Sequence, residues 1–234
     1  MTFQRSRILH AALLLLLPFG VSSCQEKDES PKQEYDDSVY RKNPYYESML
    51  EEYRSQEHDS VVVVFLGDSH THGADWNGML GRDDVVNRGI PGDQVPGFLA
   101  RVDEALALEP DYVFIMGGIN DIYSGAPVER TFDAYVKLIE RIREAGAVPV
   151  VQTTLFVNSS FQRGTKGNED VRMLNARLRR YADKHDVDVI ETVAELCENG
   201  ELIREYSSDG LHLNSIGYER WGDLVRAYFA EKGI

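Results

Sequence analysis

The sequence predicts a three-layer α/β/α domain built on a five-stranded parallel sheet. Three observations predict it. β-Branched runs such as residues 61–66 stop at small polar turns, as buried parallel strands do. Stretches with apolar residues at helical spacing alternate with those runs. Strict alternation of this kind requires right-handed crossovers, which lay helices on both faces of the sheet.

The first strand, 61–66, delivers Gly67-Asp68-Ser69 to the C-terminal edge of the sheet, where open α/β sheets bind their ligands. Residues 85–87 form a short second strand. A helix over 94–106 places Val95, Phe98, Leu99, Val102, Ala105 and Leu106 on one face. The third strand is 112–116. A helix over 128–145 keeps Phe132, Tyr135, Val136, Ile139 and Ile142 in phase and stops at Gly146. The fourth strand, 148–153, leads into a long loop over 156–168. A helix with Val171, Leu174, Leu178 and Tyr181 inward and a fifth strand at 187–190 follow. A helix over 216–231, with Trp221, Leu224, Val225, Tyr228 and Phe229 on its buried side, closes the domain.

The start of the chain reads as a targeting segment over residues 1–23. Arg5 and Arg7 precede an apolar stretch over 8–21, too short for a membrane span of roughly 20 residues. Val21-Ser22-Ser23-Cys24 resembles a bacterial lipobox, which makes Cys24 the expected lipidation site and the membrane an expected partner through its acyl chains. The expected location is the bacterial cell envelope. Residues 24–60 read as an acidic tether with a short helix near 44–56, where Tyr46, Met49, Leu50 and Tyr53 recur at helical spacing. The remaining cysteine, Cys197, reads as a small core residue. A formal net charge of −14 argues against nucleic acid as a partner.

Four short blocks carry the chemistry: Gly67-Asp68-Ser69, Asn87-Arg-Gly-Ile-Pro-Gly92-Asp93, Gly117-Gly-Ile-Asn120-Asp121 and Asp209-Gly-Leu-His212. A serine hydroxyl needs a base to become a nucleophile, and His212 with Asp209 three residues before it suits that task. Singly, each block has an ordinary reading, such as a helix cap at Ser69 or a turn at Gly92. In this order and at these strand ends they resemble the SGNH hydrolases, also called GDSL esterases, over 61–234. Within them the blocks look most like the platelet-activating-factor acetylhydrolase-like and carbohydrate acetylesterase branch. One departure is His70, where the family motif has leucine.

The resemblance implies the flavodoxin-like fold of that family and a triad of Ser69, Asp209 and His212. It also implies an oxyanion hole made by the backbone N–H of Ser69 and Gly92 and the side-chain amide of Asn120. Asp68 and Asp121 are expected to be structural. No cofactor and no metal is expected, and activity is expected to rise as His212 loses its proton near neutral pH. The implied reaction is hydrolysis of short-chain, chiefly acetyl, esters through an acyl-enzyme, with an O-acetylated carbohydrate as the first choice of substrate. The alternatives are a lysophospholipase or short-chain lipid acylhydrolase, and a non-catalytic glycan-binding lipoprotein. His70, Trp76, Phe156 and Arg163 are the expected substrate contacts. Asp68-Ser-His70-Thr-His72 also resembles the metal-binding opening of amidohydrolases, but five strands cannot build that eight-stranded barrel.

Overall fold

A computed structural model describes Asp36 and residues 38–234 of the chain. Cys24, the signal over 1–23 and the first part of the tether lie outside the described residues.

The chain enters through a 3-10 turn, Val39–Lys42, and helix α1, Tyr46–Arg54. Strand β1 (Val63–Gly67) is followed by two short helices, α2 (Ser69–His72) and α3 (Trp76–Leu80). Then come β2 (Val85–Gly89), α4 (Val95–Leu106), β3 (Tyr112–Met116) and the short α5 (Ile119–Tyr123). Helix α6 (Val128–Glu144) leads to β4 (Val148–Gln152), and α7 (Asn168–His185) to β5 (Asp188–Ile190). Helix α8 (Thr192–Leu196), a small antiparallel ribbon of β6 (Cys197–Glu198) and β7 (Glu201–Leu202), and α9 (Ser215–Lys232) complete it.

The five long strands are all parallel, in the order β2-β1-β3-β4-β5. Side chains alternate across a strand, so the sheet feeds two cores. Leu66, Val113, Ile115 and Val151 face α4, α6 and α7. Val63, Phe65, Phe114, Met116 and Val150 face α3 and α9, where Trp221, Val225, Tyr228 and Phe229 cover them. The predicted three-layer, five-stranded parallel architecture is the one observed.

Pairing sets the strand limits: Gly67 lies opposite Gly89 on one side and Met116 on the other, so three strands end level at one edge. Only glycine fits at position 67. A Cβ there would sit 2.1 Å from Thr71 Oγ1 and 2.7 Å from the Met116 carbonyl oxygen, because α2 folds straight back over the strand end.

The domain begins earlier than residue 61. Tyr40, Tyr46, Leu50 and Tyr53 are buried around Ile90. Tyr46 donates a hydrogen bond to the Gly97 carbonyl at 3.1 Å, and Tyr53 donates to that of Gly89. Much of the expected tether is therefore part of the folded unit, because its tyrosines bury their rings and satisfy their hydroxyls on the domain.

Candidate active site

The nucleophile turn follows from Asp68. Its carboxylate accepts the His70 backbone N–H at 3.0 Å and caps α2, which leaves Ser69 as the first helical residue, half-buried at the sheet edge. Opposite lies the loop between residues 207 and 214. Asp209 organises it: Oδ1 accepts the N–H of Leu211 at 2.9 Å and of His212 at 2.8 Å. The loop is tied down at both ends. The Gly210 carbonyl accepts the Asn158 N–H at 2.8 Å, and Asn214 caps α9 by accepting from Ile216 and Gly217.

This arrangement presents His212 to Ser69. Its Nδ1 is 2.7 Å from Asp209 Oδ2, and its Nε2 is 3.0 Å from Ser69 Oγ. A carboxylate only accepts, so Nδ1 carries the proton and Nε2 offers its lone pair to the serine hydroxyl. Burial opposes the Asp209 charge, but the His212 ring and the two N–H donors outweigh it and pull the carboxyl down to about 2. The carboxylate is thus charged at neutral pH.

Gly92 and Asn120 share a cleft of about 500 Å³ with Ser69 and His212. Gly92 follows Pro91 in a turn with φ +75°, a conformation that suits glycine. Asn120 Nδ2 donates to the Asp93 carbonyl at 2.9 Å, and its second hydrogen has only a long, 3.5 Å contact to Asp68 Oδ2. Buried Arg101 of α4 holds this side together. It donates to Asp93 Oδ2 at 2.8 Å, to the Arg88 carbonyl at 2.8 Å and to the Gly67 carbonyl at 3.0 Å. Asp121 is buried and accepts the Val95 N–H at 3.2 Å, a structural role; burial pushes its carboxyl up to about 7.

The expected substrate contacts fare differently from these. Trp76 is 1% exposed, stacked on Phe65 at 3.7 Å and edge-on to Trp221. Its indole N–H donates to the Thr71 carbonyl, so it is a core residue and not a sugar platform. Trp76→Ala should cost about 3–5 kcal/mol of stability in urea unfolding; a loss under about 1 kcal/mol with a raised KM would return it to the substrate. Phe156 is also buried, in the core beneath α7. Arg163 lies over the Tyr123 ring and donates to the Tyr123 carbonyl, which pins the long loop to α5 and keeps it off the cleft lining. His70 is buried between Asp68 and the Leu211 carbonyl, not turned to the cleft. His72 is exposed and lines a separate depression with His58 and Arg88, so the His-x-His pair does not form one site.

The cleft wall facing solvent comes from the entry segment instead: Val39, Tyr40, Lys42, Asn43, Pro44 and Tyr45. Asn43 donates to the Pro91 carbonyl at 2.8 Å and sits over the Gly92 turn. The signal available was the density of Tyr40, Tyr45 and Tyr46 in an otherwise polar stretch.

Comparison with known proteins bears on the family and the fold. The family model described as GDSL-like lipase/acylhydrolase matches residues 65–220. A GDSL-like lipase from Bacteroides thetaiotaomicron superposes with a TM-score of 0.71 at 22% identity, over 81% of this chain and 98% of that one. An acetyl xylan esterase superposes with a TM-score of 0.63 at 20% identity, over 72% and 99%. An N-acylneuraminate cytidylyltransferase from Streptococcus agalactiae is 28% identical over 141 residues, which are 58% of this chain. The match spans only 30% of that relative's length.

Proposed function

This chain belongs to the GDSL-like lipase/acylhydrolase family, and on that premise we propose that it removes short acyl groups, acetyl above all, from carbohydrate hydroxyls through an acyl-enzyme on Ser69. It is a carboxylic-ester hydrolase. The observation that carries the proposal is the unbroken line from Asp209 through His212 to Ser69, at 2.7 and 3.0 Å, opening on one cleft.

In the proposed reaction Ser69 Oγ bonds to the ester carbonyl carbon while His212 Nε2 takes the hydroxyl proton. Asp209 steadies the imidazolium. The carbonyl oxygen gains charge and is met by the N–H of Ser69 and Gly92 and by Asn120. Collapse breaks the bond to the alcohol, which leaves with the proton from His212. Water, deprotonated by the same imidazole, then releases the acid and restores Ser69.

An acetyl preference is supported by the name of one structural neighbour, an acetyl xylan esterase. A sugar as the alcohol is supported by Tyr45, whose ring side chain is 55% exposed in that lining. The acetyl xylan esterase and the cytidylyltransferase both bear names of sugar-active proteins. Hydrolysis of p-nitrophenyl acetate, butyrate and octanoate, followed by an acetylated xylo-oligosaccharide, tests the proposal. Acetate should be preferred, and Tyr45→Ala should raise KM for the sugar ester about 2- to 10-fold while leaving p-nitrophenyl acetate unchanged. A preference for octanoate would move the substrate to lipids.

The lipobox-like residues 21–24 support, as a separate proposal, an enzyme of the bacterial cell envelope anchored through Cys24. Cys24→Ala should shift it from the membrane to the soluble fraction of cells; an unchanged membrane fraction would count against the anchor.

A further inference from the structure

Several buried ionisable side chains take no part in the proposed reaction, and one of them adjoins the nucleophile. His70 directly follows the nucleophile and is 2% exposed. Its Nδ1 lies 3.3 Å from Asp68 Oδ1 and its Nε2 2.9 Å from the Leu211 carbonyl oxygen. A carboxylate and a carbonyl both only accept hydrogen bonds. A neutral imidazole has one N–H, so it would turn a lone pair toward one of these acceptors in a dry interior, which is costly. Only the imidazolium donates to both. Asp68, equally buried, supplies the counter-charge such a cation needs.

We propose that His70 is a positioning residue, an imidazolium strut that holds the Leu211–His212 end of the loop against the nucleophile turn. The inference rests on the reading of Ser69 and His212 as nucleophile and base. Leu211 is the residue before His212, so fixing its carbonyl fixes the backbone from which the base projects. A third element pins the strut: Tyr218 of α9 donates to the His70 carbonyl at 3.0 Å. Asp68 meanwhile faces Asn120 with its other oxygen, at 3.5 Å. One carboxylate–imidazolium pair therefore touches the nucleophile turn, the base loop and the oxyanion donor.

The titratable groups facing His70 are Asp68 at Nδ1, Asp209 across the loop, the His212 ring at 5.7 Å between centroids, and the Tyr218 hydroxyl on its carbonyl. Burial works against its charge, and the Asp68 hydrogen bond and charge together with the Leu211 carbonyl outweigh it, so its pKa is raised above the ordinary histidine value. A group whose pKa is raised this way holds its contact at low pH and loses it as pH rises. The strut consequently breaks on the alkaline side.

The test is the pH–rate profile of the full chain on p-nitrophenyl acetate, beside His70→Gln and His70→Leu. Both variants should lose about 10- to 100-fold in kcat with KM within about twofold, the cost of a slightly misplaced base. Both should also lack the falling alkaline limb of the wild-type profile. A kcat within about twofold of wild type and an unaltered profile in both would overturn the proposal. If neither variant folds, ring ¹⁵N NMR of the wild type at pH 7 decides. Two N–H signals from His70 uphold the strut, and a neutral His70 ring overturns it. Turnover by Ser69→Ala would defeat the esterase reading itself; an inactive Ser69→Ala beside unaltered His70 variants would defeat only the strut.

Discussion

Ser69→Ala is expected to lower kcat on p-nitrophenyl acetate by about 10⁶-fold, with the melting temperature almost unchanged. The magnitude follows from what remains. Without Oγ no acyl-enzyme forms, and His212 with the oxyanion donors is left to guide water alone. Removal of the hydroxyl opens no cavity of consequence, since the side chain is half-buried at the cleft and its hydrogen-bond partner is the partly exposed His212 ring. An intact fold with no turnover isolates the chemistry from stability. Equal rates in the two proteins would remove Ser69 as nucleophile and revive a non-catalytic, glycan-binding reading of the cleft.

The second large effect is expected from Asp209→Asn, about 10³- to 10⁴-fold in kcat with little change in KM. An asparagine can turn an N–H toward Nδ1, which would then have to accept. The imidazole proton moves to Nε2, and the lone pair that Ser69 needs disappears. The pH dependence separates this from simple loss of structure. The Asp209 carboxyl is lowered to about 2, below its ordinary 3.8. A depressed carboxyl stabilises the fold above its unfolded pKa and loses that contribution as pH falls through the folded value. The loop contact in wild type is accordingly full at every pH above about 4, and the variant's deficit should persist at neutral pH. A deficit that closes at alkaline pH would mean that His212 does not depend on Asp209 for its tautomer.

The sheet and its long helices were legible because their apolar residues repeat with clear periods. Phe98 and Val102 on α4, or Leu174 and Leu178 on α7, recur one helical turn apart and bury as expected. The short helices α2, α3, α5 and α8 were not legible, since four or five residues hold too little of a turn pattern to show one. Ser69, Gly92, Asn120, Asp209 and His212 were expected because four short blocks together carry a family resemblance, and the structure gathers them around one cleft. Trp76 misled. Nothing local tells an aromatic residue near a nucleophile whether it faces solvent or, as here, Phe65 and Trp221. The entry segment was missed as a cleft wall because Tyr40, Tyr46 and Tyr53 find their partner, Ile90, far along the chain.

The way that entry segment docks has a consequence for substitutions there. Asn43, Tyr46 and Tyr53 all donate to backbone carbonyls, those of Pro91, Gly97 and Gly89. Main-chain acceptors persist whatever side chains the host carries, so these three bonds leave the seat's dependence on the host to packing against Ile90 and Arg88. Tyr45 and Lys42 ride on this seat without taking part in the sheet. Their side chains border the cleft, so a substitution at either alters its solvent-facing wall without touching the hydrogen bonds that seat the segment.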